Sequence, residues 1–245
     1  MTSRAASAVL ALATLAGCAS HSSAGALVTS APEPVTAPNT LSLQEQREGW
    51  RLLFDGQTSA GWRGFRMDSM PTGWRAEHGA LSRVGPAGDI ITVDQYRNFD
   101  LKIDWNVDSN GSSGVFYRAE ESTPHIYESA PEMKALDDAR QEDGLSPLTA
   151  SGSAYGLYAT KTGVAHPAGS WNHARIVVKG RHVEQWLNGV KVVDYVLESS
   201  DWVDRVAHTK FVAWPIYGRA LRGHIGLQDH GSGVQFANIK IRVLP

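Results

Sequence analysis

Cysteine is nearly absent: Cys18 is the only one among 245 residues. No disulfide can therefore form within the chain, and its fold must be held by packing alone. Charge of one dominant sign is also missing. A formal net charge of −2 gives no electrostatic footprint for nucleic acid, which excludes that class of partner. No apolar run reaches the roughly 20 residues that a membrane-spanning helix needs. The nine histidines are scattered without ligand spacing, so no zinc site is assigned and no metal motif is identified. Sustained 3.6-residue periodicity is lacking too, except for a short stretch around Asp201 to Val206. A parallel α/β fold needs helices between its strands and is excluded with them.

What is present begins with an address. Arg4 is the only charge before an apolar stretch from Ala5 to Ala16. A basic start, a short apolar core and small residues at its end describe a secretory signal. The core ends in Leu15-Ala16-Gly17-Cys18, which resembles the bacterial lipobox, where the chain is cut before the cysteine and the cysteine is acylated. The alternative is an ordinary cleaved signal with an incidental cysteine. The resemblance implies a lipoprotein signal peptide over residues 1–17 and lipidation of Cys18. Residues 18–41, rich in Ser, Ala, Pro and Thr, then read as a flexible tether. The expected location is the bacterial cell envelope, lipid-anchored to a membrane on its periplasmic or outer-membrane side. The folded domain is expected over 42–245. A chain of that size buries roughly 70% of its unfolded surface, enough for one substantial core.

Within the domain, period-two and short apolar segments dominate. Phe99-Asp100-Leu101-Lys102-Ile103-Asp104-Trp105 alternates strictly, which predicts one face carrying Phe99, Leu101, Ile103 and Trp105. Ala174 to Lys179 runs into a Gly180-Arg181 turn, and His182 to Leu187 into Asn188-Gly189, the strongest short hairpin signal. Val190 to Val196 returns, and Phe236 to Val243 alternates again. Many short antiparallel strands with Gly and Asn turns predict an all-β fold, a jelly-roll sandwich of two antiparallel sheets. Two regions break the pattern: Ser122 to His166, with one strand-like piece at Pro131 to Asp138, and Ser199 to Arg222. Long loop insertions on a rigid sandwich tend to carry function.

Several phrases, in order, resemble the 3-keto-disaccharide hydrolase family, whose members share a concanavalin-like sandwich. They include Leu52-Leu53-Phe54-Asp55-Gly56 with Gly61-Trp62, and Trp74 to Leu81. Ser113 to Arg118, Glu132 to Asp137 and Tyr155 to Tyr158 follow, then Phe211 to Pro215 and Gly223 to Gly231. The set spans about Trp50 to Leu244. Two positions depart from the family pattern. Gly111-Ser112-Ser113-Gly114 stands where Gly-Asn-Ser-Gly is usual, and Lys134 where a Gln is common.

The resemblance implies a substrate already oxidised at C3 of one sugar ring. A ketone there acidifies the C2 hydrogen, because the carbanion is delocalised as an enolate. Loss of that proton expels the C1 substituent, and water adds back across the double bond. The path needs a base at C2, donors or a cation near the C3 oxygen, and an acid near the leaving oxygen. Period two puts Glu132 and Lys134 on one face of their strand, with Met133 and Ala135 toward the core. They are either a surface ion pair or, as the resemblance suggests, a base (or metal ligand) and a polarising cation. Asp229 and His230 follow an apolar strand end. They form either a capped turn with an exposed histidine or, with Glu132, the catalytic set, His230 serving as acid/base.

Arg118 shares a face with Phe116 if the strand alternates. It binds either hydroxyls or an enolate, or it anchors Glu120 or Asp137. Asp137 and Asp138 cap a turn or meet a hard cation. No cofactor is required by the sequence, and a divalent cation stays open. Tyr155, Trp214 and Tyr217 are candidates to stack on a pyranose, and Gln228 joins Arg118, Lys134 and Asp137 as a substrate-binding candidate. Trp62, Trp105 and Trp186 read as core or rim. The partners implied are the keto sugar, the membrane through the lipid, and a separate C3 sugar oxidoreductase that makes the substrate. Two other functions remain: a carbohydrate-binding module without catalysis, and a conventional glycosidase with two carboxylates such as Glu132 and Asp229.

Overall fold

Thirteen strands and two short helices make up the described residues, 1–2 and 38–245 of a computed structural model. The expected signal peptide beyond its first two residues, Cys18, and the tether up to residue 37 lie outside the described residues. In chain order the elements are α1 (Leu43–Arg47), β1 (Trp50–Leu52), β2 (Trp62–Gly64), β3 (Trp74–Glu77), β4 (Ala80–Arg83) and β5 (Ile90–Thr92). Then come β6 (Phe99–Val107), β7 (Ser112–Ala119), β8 (Glu132–Leu136), β9 (Asn172–Lys179), β10 (His182–Leu187) and β11 (Val190–Val196). α2 (Ser200–Ala207), β12 (His224–Leu227) and β13 (Val234–Val243) complete the order. Among the described residues no helix is long and apolar enough to cross a membrane.

The strands form two sheets in which every pairing is antiparallel. The larger runs β11-β10-β9-β6-β13-β4-β3, with β1 also on β13; the smaller runs β2-β5-β12-β7-β8. This is the expected two-sheet sandwich. The alternation that defines β6 works as read: Phe99, Leu101, Ile103 and Trp105 are all buried. They meet Val115 and Tyr117 of β7, Met133 and Ala135 of β8, and Ile225 and Leu227 of β12 in one core. Asn188 and Gly189 join β10 to β11 with φ of +47° and +81°, the left-handed pair that a tight hairpin of this twist requires. Helix α2 forms where Asp201 to Val206 suggested it. Ser199 caps it by accepting from the Trp202 N–H at 3.2 Å, and Trp202 enters the core.

Two irregularities interrupt period two. In β13 the register shifts between Ala237 and Lys240, with Asn238 at φ +50°. Asn238 exchanges hydrogen bonds of 2.6 and 2.8 Å with Asn39. Asn39, inside the stretch read as tether, is therefore buried and packed on the domain. In β7 the break falls at Arg118, discussed below. Trp62 and Trp105 are core residues, whereas Trp186 lies half-buried beneath Arg175 and Lys191.

The smaller sheet has a second apolar layer on its other side: Ile91, Phe116, Ala119, Ile126 and Ala130. Because Met133 and Ala135 take the core side of β8, Glu132 and Lys134 face this outer side. The two irregular regions, Ser122 to His166 and Ser199 to Arg222, supply the residues that cover them.

Candidate active site

The site is built on the β7–β8 pair. Gly114 lies directly opposite Lys134 in the ladder, and a Cβ on Gly114 would collide with the Glu132 carboxylate. That carboxylate lies across the β7 backbone, in space that only a glycine leaves free. Two bonds fix the neighbouring strand end. The Ser113 hydroxyl donates to the Gln228 carbonyl at 2.8 Å, and the Gln228 N–H donates to the Gly114 carbonyl at 3.0 Å. The usual Asn is replaced by buried Ser112, whose N–H reaches Ser232 at 2.9 Å.

Lys134 is 2% exposed. Its Nζ lies 3.4 Å from Glu132 Oε1 and 3.4 Å from Gln228 Oε1, and 5.0 Å from the centre of the Tyr155 ring. Lys210 Nζ sits 4.7 Å from the centre of the same ring. Glu132 Oε1 is buried and accepts no hydrogen bond among the described residues. Its ion pair with Lys134 is all that offsets its burial, an arrangement that is costly for a merely structural carboxylate. Burial, then the neighbouring Asp143, pushes the Tyr155 hydroxyl up to about 12. Glu132, Lys134 and Tyr155 open together onto a cavity of about 220 Å³.

Asp229 lines this cavity, but its oxygens are already spent. Oδ1 accepts from Arg83 at 2.6 Å and from the Gly231 N–H at 2.9 Å; Oδ2 accepts from the N–H groups of Ala87 and Gly88 at 2.8 and 3.0 Å. Burial opposes its charge, yet these donors outweigh burial and hold its carboxyl below the usual range. Asp229 thus clamps two loops together. One carries His230, exposed on the cavity rim; the other carries Asp89, whose Oδ1 accepts the Asp229 N–H at 2.9 Å. Asp89 faces the cavity. Burial first, and then the charges of Glu132 and Asp229, raise its carboxyl to about 7 against the pull of that one hydrogen bond.

Glu132, Lys134, Tyr155, Gln228, Asp229 and His230 are thus brought to one cavity, joined by Tyr217. Arg118, Asp137 and Trp214 are not among its walls. Arg118 has φ +55°, and the β7–β12 register shifts beside it, so it leaves the face that Phe116 keeps. Its guanidinium donates to the carbonyls of Arg97 and Gly180, neither of the roles expected for it. Asp137 accepts from the N–H groups of Asn110 and Ala139 and from Arg140. Asp138 accepts from the Ser151 N–H. Asp137 therefore caps a turn, and Asp138 ties its loop to Ser151. Trp214 stands behind the wall, 5.4 Å from Tyr127 and 5.9 Å from Phe211.

Among the described residues, one trio is close enough to share a metal ion, His182, Glu184 and Asp194. It lies on the larger sheet, with Lys191 bonded to both carboxylates.

Three polar or aromatic residues of the cavity escaped the sequence: Asp89, Lys210 and Tyr127. Asp89 follows Gly88 at the mouth of β5 and carries no motif. Lys210 and Tyr127 fall inside the two irregular regions, which is as far as pattern alone reaches.

A family model described as a 3-keto-alpha-glucoside-1,2-lyase-like domain matches residues 49–242. A 3-keto-disaccharide hydrolase of Bacteroides thetaiotaomicron is 33% identical over 84% of this chain and 82% of its own length. A crystal structure from Parabacteroides distasonis, described as a candidate glycosyl hydrolase, superposes with a TM-score of 0.80 at 35% identity, covering 85% of this chain and 100% of that one. A second from the same organism gives a TM-score of 0.65 at 28% identity over 80% of this chain and 99% of its own. The sandwich, its cavity and these relatives agree, and the chain belongs to the 3-keto-alpha-glucoside-1,2-lyase-like family, as a hydrolase of glycosidic bonds.

Proposed function

We propose that this enzyme cleaves 3-keto-glycosides by elimination across C1 and C2, followed by hydration. One observation carries the reading: Glu132 presents a buried oxygen that accepts no hydrogen bond among the described residues, beside Lys134, on a cavity wall. A carboxylate so placed can take the C2 proton, and the ammonium group stabilises negative charge developing on the C3 oxygen. Lys134 in place of the usual Gln makes that stabilisation charge-assisted. Tyr127, 38% exposed on the cavity wall, provides a ring edge or face and a hydroxyl for a sugar ring. The leaving oxygen needs an acid, for which rim His230 and half-buried Asp89 are both at hand. The description of the family as a 1,2-lyase agrees with an elimination step. Conventional hydrolysis through Glu132 and Asp229 is disfavoured, because four donors already occupy Asp229.

The lipid on Cys18 and an envelope location belong to the same proposal, with a separate oxidoreductase making the ketone at C3. To test it, the purified protein is given 3-keto-trehalose or trehalose, each with and without a chelator. Cleavage of the keto sugar alone, unaffected by chelation, is expected. Cleavage of both sugars would restore the two-carboxylate mechanism, and binding without cleavage would reduce the protein to a lectin. Glu132→Gln is expected to lower kcat at least about 10²-fold.

A further inference from the structure

From the clamp that Asp229 places on two loops, we infer that Asp89 is the acid that protonates the leaving oxygen, a refinement that rests on the proposed elimination. Asp89 and Glu132 are two carboxyl groups on one cavity with opposite surroundings. Glu132 has the Lys134 ammonium at 3.4 Å as an ion-pair partner. Asp89 has no cation bonded to it among the described residues; Arg83 is bound to Asp229, the residue whose N–H reaches Asp89. Among the described residues its carboxyl accepts one hydrogen bond, from the Asp229 backbone N–H, and the carboxylates that act on it, Glu132 and Asp229, are negative. Lys134 and Lys210 are turned to the Tyr155 ring, and His230 is out on the rim. A carboxyl in that setting keeps its proton near neutrality, with an ordinary pKa of 3.8 raised to about 7. Two carboxyl groups on one cavity, one paired with a cation and the other without one, suit the base and acid roles respectively.

The chemistry closes on these two residues. Glu132 takes the C2 proton, and the electrons of the C2–H bond form the enolate of the C3 ketone. As the C1–O bond breaks, those electrons become the C1–C2 double bond. The bonding pair leaves with the glycosidic oxygen, which takes the proton of Asp89 and departs as a neutral alcohol. Water then adds at C1 and gives one proton to the Asp89 carboxylate, while Glu132 returns its proton to C2. Both carboxyl groups end as they began, and the sum is hydrolysis.

The leaving group reports on the acid. A sugar alkoxide must be protonated to depart, whereas p-nitrophenolate departs unaided. Asp89→Asn is therefore expected to lower kcat on 3-keto-trehalose at least about 10²-fold, and to leave the single-turnover release of p-nitrophenolate from p-nitrophenyl 3-keto-glucoside within a few-fold of wild type. In wild type, the rate on 3-keto-trehalose should fall above about pH 7, and the rate on the nitrophenyl substrate should not. The same split between the two substrates in His230→Asn, with Asp89→Asn showing none, would give the acid role to the rim histidine and overturn that of Asp89. Equal losses on the two substrates in Asp89→Asn, or an identical alkaline fall for both in wild type, would overturn the role of Asp89. The wild-type comparison holds even if the variant folds poorly. Wild type that cleaves neither keto substrate would instead sink the elimination reading itself.

Discussion

Asp89→Asn offers a test on stability alone, independent of any substrate. The substitution removes the titrating proton but keeps the oxygen that accepts the Asp229 N–H. In the folded wild type the carboxyl rises from 3.8 to about 7. The folded state therefore holds its proton when the unfolded chain has already lost it, and stability falls as pH rises from about 4 through about 7. Three pH units correspond to about 4 kcal/mol. About 2.5 kcal/mol of this falls between pH 5 and pH 8, because the unfolded carboxyl is largely ionised by pH 5 already. Water in the open cavity makes that an upper bound. For a domain of this size 1 kcal/mol moves Tm by about 2–4 °C. Thermal unfolding at both pH values should show the variant gaining about 5–10 °C on wild type between pH 5 and pH 8. The reference is the difference between the two proteins, so other titrating groups cancel. A Tm difference that is the same at both pH values would refute the assignment of a strained, raised carboxyl.

Three further outcomes follow from other parts of the structure. Gly114→Ala should abolish turnover while the protein stays folded by circular dichroism, because the new Cβ meets the Glu132 carboxylate rather than the core; retained activity would mean that Glu132 is not held across β7. Tyr127 is 38% exposed on the cavity wall and stacked on His125 at 5.1 Å, so Tyr127→Ala should raise KM for 3-keto-trehalose several-fold, about 1 kcal/mol of stacking, with kcat little changed. Cys18→Ser should move the protein from the membrane to the soluble fraction after ultracentrifugation, whereas an incidental cysteine would leave the distribution as it was.

Sequence alone disclosed the sandwich because its strands are written in period two and its turns in residues that only turns favour. Phe99 to Trp105 and Asn188-Gly189 are sufficient examples. It also disclosed the face of β8, since placing Met133 and Ala135 in the core leaves Glu132 and Lys134 nowhere else to point. The same rule failed at Arg118. One residue in the left-handed region re-aims every side chain after it, and nothing in Val115-Phe116-Tyr117-Arg118 signals that. Asp229 was drawn to the site by its place in a family phrase, which tells proximity but not role. Its role depends on the N–H groups of Ala87 and Gly88, some 140 residues earlier in the chain. Asp89 was silent for the related reason that a carboxyl becomes an acid at neutral pH through its surroundings, and those surroundings are assembled only on folding.

The central claim is that the C2–H bond breaks on the way to cleavage. It is tested most directly by comparing kcat/KM for 3-keto-trehalose carrying protium or deuterium at C2 of the oxidised ring. Elimination with Glu132 as base predicts a normal primary isotope effect, and solvent hydrogen at C2 of the released 3-keto-glucose to the extent that the proton on Glu132 exchanges with water before it is returned. Cleavage with no isotope effect and with the C2 label fully retained would contradict it.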